Sequence, residues 1–174
     1  MNLIIRLLRI FLHSFFRIPL DFFETSIVFF RVAPTDLDLN LHMTNSRYFS
    51  VMDLGRLDLL LRSKGRTLIF KKKWQAVIGA SHISFHRALK CFQKFEVHSR
   101  IIGWDEKWFY IEQRIFSKGQ LMTVAIIKAL FISKKGSART QKVLSELKVV
   151  FEKERLTPII KHWREMKESM REKS

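Results

Sequence analysis

One cysteine, Cys91, stands in 174 residues, so the chain can form neither an internal disulfide nor a cysteine-rich metal site. A reducing compartment, the cytoplasm, is its default setting. Proline is nearly as scarce, with three residues, and glycine numbers six; a chain so short of both is neither a disordered linker nor a collagen-like array. Internal repeats and low-complexity tracts are missing as well. Acidic residues are the remaining shortage: 16 Asp and Glu face 32 Lys and Arg, a formal net charge of +16. That field favours an anionic partner, whether nucleic acid, an acidic lipid surface, an acidic carrier protein or a phosphate-rich small molecule. No recognition-helix motif and no aromatic RNA-binding signature goes with it, so nucleic acid is not the expected partner. What is plentiful is hydrophobic, 47% of residues, enough for one domain with a buried core.

Residues 1–20 form the first distinct segment. On a helical wheel Arg6, Arg9, His13 and Arg17 share one narrow stripe, while Leu3, Ile4, Leu7, Leu8, Phe11, Phe15 and Phe16 cover much of the rest. The arginines interrupt any run long enough to span a bilayer, which needs about 20 mostly apolar residues. No small-residue cleavage site follows, which speaks against a secretory signal. The segment is expected to be a basic amphipathic helix, ended by Pro19, resting peripherally on an anionic membrane surface. Packing on the domain or on a second subunit is the alternative.

From Thr25 the pattern changes. Ser26 to Val32 is β-branched and aromatic and predicts a strand closing at Pro34. After a polar loop, residues 46–65 predict a helix apolar on most of its circumference and therefore buried, with Gly55 in its middle marking a close approach to another element. Strands are predicted over 74–86, 94–104, 107–116 and 121–132, the last two joined by Ser117-Lys-Gly-Gln120 and the middle pair turning at Gly103–Glu106. The tail beyond Lys134 reads as helical and charged, with Thr157-Pro158 starting a helix through about Lys173. A single buried helix needs a curved sheet around it, which predicts an α+β helix-in-sheet domain over 22–135, preceded by 1–20 and followed by a basic helical extension over 136–174.

The loop before that helix carries the chemistry. Asp36, Asp38, Asn40, His42 and Asn45 crowd into the few residues ahead of it. A helix start offers unpaired N–H groups and the positive end of the dipole, which would polarise a carbonyl oxygen and stabilise an oxyanion still more. A carboxylate just upstream could attack the same carbon or draw a proton from water. Asp36 is expected to cap the loop, Asn45 to cap the helix, and His42 to be a structural histidine. Asp53 and Arg56 read as an internal ion pair. His82 and His86 share a strand face, but no third ligand stands at a recognisable spacing, so no metal is assigned.

This segment resembles the 4-hydroxybenzoyl-CoA thioesterase family of hotdog proteins, whose signature is Asp-x-Asp, a short gap, Gly-His-x-Asn-Asn and an aromatic on the helix. Here it runs Asp36-Leu37-Asp38, Leu41-His42-Met43-Thr44-Asn45 and Tyr48. Within that family the loop, together with Gly103-Trp-Asp-Glu-Lys-Trp-Phe-Tyr, is similar to the branch of thioesterase-superfamily member 6 and its bacterial relatives. The resemblance covers roughly 24–133 and implies a hotdog fold and hydrolysis of an acyl thioester. It implies Asp38 as nucleophile or general base, the amides of Thr44, Asn45 and Ser46 as the oxyanion site, and His42, Tyr48 and Asp36 in support. It also implies acyl-CoA or acyl carrier protein as substrate, at least a homodimer with sites between subunits, and no metal or organic cofactor. Lys71-Lys72-Lys73 would suit the phosphates of CoA. Two positions depart from the signature: Leu41 stands for the glycine and Thr44 for the first asparagine. A non-catalytic module binding acyl chains or a membrane-bound partner is the competing reading.

Overall fold

A computed structural model describes residues 2–150 and 154–172. In chain order it contains α1 (Asn2–Phe16), β1 (Ser26–Arg31), a short 3-10 turn (Pro34–Asp36), α2 (Asn45–Arg62), α3 (Arg66–Phe70) and β2 (Gln75–Phe85). There follow β3 (Lys94–Trp104), β4 (Phe109–Ser117), β5 (Gln120–Ser133), β6 (Gly136–Ala138), α4 (Thr140–Glu146) and α5 (Pro158–Glu172). The sheet is antiparallel in the order β1-β3-β4-β5-β2, with β6 beside β5.

The sheet curls around α2, the α+β helix-in-sheet arrangement expected. Tyr48, Val51, Met52 and Leu54 of the helix pack with Phe95 and Val97 of β3, Ile115 of β4 and Ile127 of β5 in one buried cluster. Gly55 sets how close the helix comes. A Cβ there would lie 2.8 Å from both Ser99 Oγ and Val97 Cγ1, so the missing side chain is what lets α2 settle on β3. Buried Gln113 supports the contact, donating to Met52 O at 2.9 Å and to Ser99 Oγ at 2.7 Å.

Two local readings need correction. The β3–β4 turn lies at Asp105–Trp108, because the Asp105 carboxylate accepts the amides of Lys107 and Trp108 at 2.9 and 2.7 Å. The tail beyond Lys134 is not wholly helical: Gly136, at φ +99°, turns the chain so that Gly136–Ala138 pairs with β5. The short helix α3 follows α2 directly. The last helix starts at Pro158 as expected, and its expected end, Lys173, lies outside the described residues.

Helix α1 lies along the outer side of β1 with its basic stripe turned inward. Arg6 donates to Arg31 O at 2.9 Å, Arg9 to Phe29 O at 2.8 Å and Arg17 to Ile27 O at 3.0 Å. These are alternate carbonyls of an edge strand, the ones that point away from β3. From Arg6 to Arg17 the helix rises about 16 Å, and Arg31 to Ile27 spans about 14 Å, so the two spacings match within the reach of arginine. Both ends are also clamped by charge. Arg6 Nη2 lies 2.6 Å from Asp36 Oδ2, and Arg17 meets Asp58 at 3.3 Å. Asp58, 1% exposed, is further held by Arg62 at 3.2 Å and by the Ser26 hydroxyl at 2.6 Å. The arginines close the sheet edge, so the helix packs on the domain, the alternative to resting on a membrane, and its apolar side is left outermost.

At the opposite edge, β2 is long and exposed at most positions, and among the described residues it pairs only with β5.

Candidate active site

The loop between the 3-10 turn and α2 is a miniature hairpin. Thr44 N donates to Asp36 O at 2.9 Å and Asp38 N to His42 O at 2.9 Å, with Leu37 bridged to Met43. At its tip Asp38 Oδ1 accepts the amides of Asn40 at 2.8 Å and His42 at 3.2 Å. These bonds fix one carboxylate oxygen. Oδ2 has no donor among the described residues, and the side chain is exposed. Asp36 does different work: it is 1% exposed, accepts Ala33 N at 2.9 Å, and sits against Arg6 and, at 3.6 Å, Arg47. It caps the 3-10 turn and anchors the loop to α1.

Helix α2 starts at the base of the same hairpin. Thr44 is its N-cap and makes no side-chain cap bond. Its amide, one of the three expected to hold an oxyanion, is already committed to Asp36 O, so Thr44 drops out as an amide donor. Asn45 and Ser46 head the first turn, where the helix itself supplies no acceptor. The Thr44 and Ser46 hydroxyls stand 3.0 Å apart beside them. Two hairpin residues, about 7 Å, separate the level of Asp38 from that of Thr44.

His42 shapes the loop through its backbone, and its imidazole has no hydrogen-bond partner among the described residues. Tyr48 is wall and pillar rather than reactant. It is 2% exposed, packs edge-on against Phe85 and accepts Leu89 N at 3.1 Å, and burial pushes its phenol above the ordinary value. Leu41 takes φ +58°, the left-handed conformation that suits glycine, and its side chain is 71% exposed rather than turned into the core. That is the physical reason for a glycine at this place in the signature.

Cations stand beside the loop, but not the ones expected. Lys71–Lys73 follow α3, beyond the far end of α2, about 27 Å from its start. The backbone of His42 instead bridges to Lys90, and Arg87 and Lys90 are both exposed. Sequence order hid them, since they reach the loop only through the Met43–Leu89 and His42–Lys90 pairings.

An apolar cavity of about 250 Å³ lies at the other end of α2. Leu57 and Leu60 of the helix, Val77 and Ile78 of β2, and Phe109 and Phe131 are among the residues that line it. Asp53 and Arg56 form one wall. They pair with each other as expected, but Asp53 is 62% exposed, and the buried partner of Arg56 is Gln113. Burial lowers the Arg56 guanidinium to about 10, which leaves it charged at neutral pH. Among the described residues no group of three or more His, Cys, Asp or Glu could hold a metal ion.

A model of the thioesterase-like superfamily matches residues 32–163. Thioesterase lcsJ of Purpureocillium lilacinum is 31% identical over 149 residues, covering 71% of this chain and 48% of that protein. Protein THEM6 of Danio rerio is 35% identical over 107 residues, 62% of this chain and 53% of its own length. The chain thus spans about half the length of the curated relatives it matches. Among solved structures, the probable thioesterase YbaW of Escherichia coli superposes with a TM-score of 0.66 at 20% identity, over 70% of this chain and 96% of that one. Staphylococcus aureus SAV2348, solved in complex with CoA, gives 0.62 at 15% identity, over 72% and 82%. At such identities the likeness concerns the fold, which is the hotdog fold.

Proposed function

We propose, because this chain belongs to the thioesterase-like superfamily, that it hydrolyses acyl thioesters with Asp38 as the catalytic carboxylate. The observation that carries the reading is the hairpin itself. It pins Asp38 Oδ1 with two amides, leaves Oδ2 without a donor among the described residues, and leads directly into the first turn of α2, which Asn45 and Ser46 head. The thioester oxygen would accept from those amides, helped by the positive end of the helix dipole. Asp38 would attack the carbonyl carbon or take a proton from an attacking water, and the C–S bond would break to release a thiol and a carboxylic acid.

The cavity supplies a place for the acyl group only if two copies meet. Within one chain it is lined by the exposed residues 76–78 of β2, while Phe85, at the other end of the strand, touches Tyr48 by the loop. Antiparallel pairing of β2 with its counterpart would lay each cavity against the partner's loop. A homodimer with two composite sites follows. CoA is the favoured carrier, since Arg87 and Lys90 suit its phosphates and the S. aureus structure holds CoA. A thiol-release assay over acyl-CoAs of varied length and aromatic character tests the proposal. Acyl-CoA binding without thiol release would leave a non-catalytic acyl-binding module.

A further inference from the structure

Helix α1 is inside out for a helix on a water-soluble protein. Its inward side carries Arg6, Arg9 and Arg17 on the β1 carbonyls, with Ile10 and Ser14 buried between. Its outward side carries Ile4 at 62%, Ile5 at 60%, Leu8 at 55%, Leu12 at 58%, Phe15 at 46% and Phe16 at 89% exposure. Scattered apolar residues on a surface need no explanation, but a continuous helical face of them does. The patch extends off the helix, since Phe70, half exposed, packs against Phe11 and Phe15 at 6.4 and 6.2 Å.

Cations border this patch on the side of Phe70. Residues 63–73 carry Lys64, Arg66, Lys71, Lys72 and Lys73 with no acid among them. Lys72 pairs with Glu146, while Lys64, Arg66, Lys71 and Lys73 are exposed. An apolar strip rimmed by unpaired positive charge is complementary to the surface of a membrane containing anionic lipid. Crossing is not the geometry. No helix among the described residues is long and apolar enough to cross a membrane, and the 15 residues of α1 rise about 22 Å against the roughly 30 Å of a bilayer core.

We infer that the outward face of α1, with Phe70, docks flat on an anionic lipid surface, and that Arg66, Lys71 and Lys73 engage the headgroups. The arginine stripe is then the fastener between helix and domain rather than the lipid contact. Through the Arg6–Asp36 pair that fastener ends two residues from Asp38, so docking holds the loop near the lipid–water boundary. The inference is independent of the proposed reaction, and its test reads binding alone.

The test is co-sedimentation of the full chain with phosphatidylcholine vesicles made with and without phosphatidylglycerol, beside sedimentation velocity without lipid. Wild type is expected to partition onto the anionic vesicles. Leu8→Glu/Leu12→Glu should lose about tenfold or more in partitioning while melting and sedimenting like wild type. Lys71→Glu/Lys73→Glu should lose only the part that depends on anionic lipid and low salt. A second readout needs no charge inserted in the helix: Leu8→Trp should show blue-shifted emission on anionic vesicles. Equal partitioning of wild type and the double glutamate variant, or an unshifted Leu8→Trp spectrum, overturns the inference. So does a wild-type species that shrinks in solution when Leu8 and Leu12 are replaced, because a second copy of the chain then covers the face.

Discussion

Leu41 shows how backbone and chemistry meet in one residue. A left-handed φ costs an ordinary L-residue about 1–2 kcal/mol, and a β-branched one more. Leu41→Gly should therefore leave the thermal midpoint unchanged or raise it by a few degrees, whereas Leu41→Ile should lower it; the reverse order would mean that the loop conformation is wrong. Asp38 carries a kinetic prediction. Asp38→Asn keeps a side-chain oxygen for the amides of Asn40 and His42, so the hairpin should survive, while kcat falls at least about a hundredfold, some 2.7 kcal/mol in the barrier. Near-wild-type turnover in that variant would remove Asp38 from the mechanism. The sequence pointed to both residues, since the motif spacing singles out Asp38 and the departure from glycine singles out Leu41. It could not show that the Thr44 amide is spent on Asp36 O, because that bond depends on how the loop folds back.

At the scale of elements, periodicity read most of the sheet and the whole of α2, whose apolar circumference has no other place than a core. Gly55 was read rightly as a contact point, and the contact can be priced in stability. Ala gains about 1 kcal/mol of helix propensity over Gly, but here its methyl would press on Ser99 and Val97 at 2.8 Å, and overpacking costs typically 1–3 kcal/mol. Gly55→Ala should then lower the urea midpoint; a rise would show that β3 yields. Helix α1 was expected to be amphipathic, but which face would meet the domain was not legible, and for a definite reason. The acceptors of Arg6, Arg9 and Arg17 are backbone carbonyls of an edge strand, which no side-chain pattern encodes. Arg17 also meets Asp58, an acid 1% exposed that pairs with Arg62 as well. Removing one partner of a buried ion pair costs several kcal/mol, so Asp58→Ala should destabilise by about 3 kcal/mol or more and free α1 to proteolysis. Retained protection of α1 would mean that the β1 carbonyls hold it unaided.

For the whole molecule, the distribution of parts is itself an argument for a second copy. The loop precedes Asn45, whereas the cavity is lined by α2 residues from Asp53 to Leu60, about 12–23 Å of helical rise further on, so a single chain holds the components of the proposed site without assembling one. The strand that runs between them, β2, presents 11 residues of exposed edge, a length of unpaired backbone that soluble proteins rarely leave open. If β2 pairs antiparallel with itself about its middle, near Ala80, then residue 85 of one copy falls opposite residue 75 of the other, and loop and cavity come together twice. Lysines at the exposed positions Ser81 and His82 would fall opposite residues 79 and 78 of the other copy, forcing charge into the seam on both sides of the axis. Ser81→Lys/His82→Lys should convert a sedimenting dimer to monomer with little change in thermal midpoint, and should lower kcat/KM for acyl-CoA at least about a hundredfold although neither residue belongs to the loop or the cavity. A monomeric variant with full activity would place the acyl group somewhere other than this cavity, and a wild type that is itself monomeric and active would remove the composite site altogether.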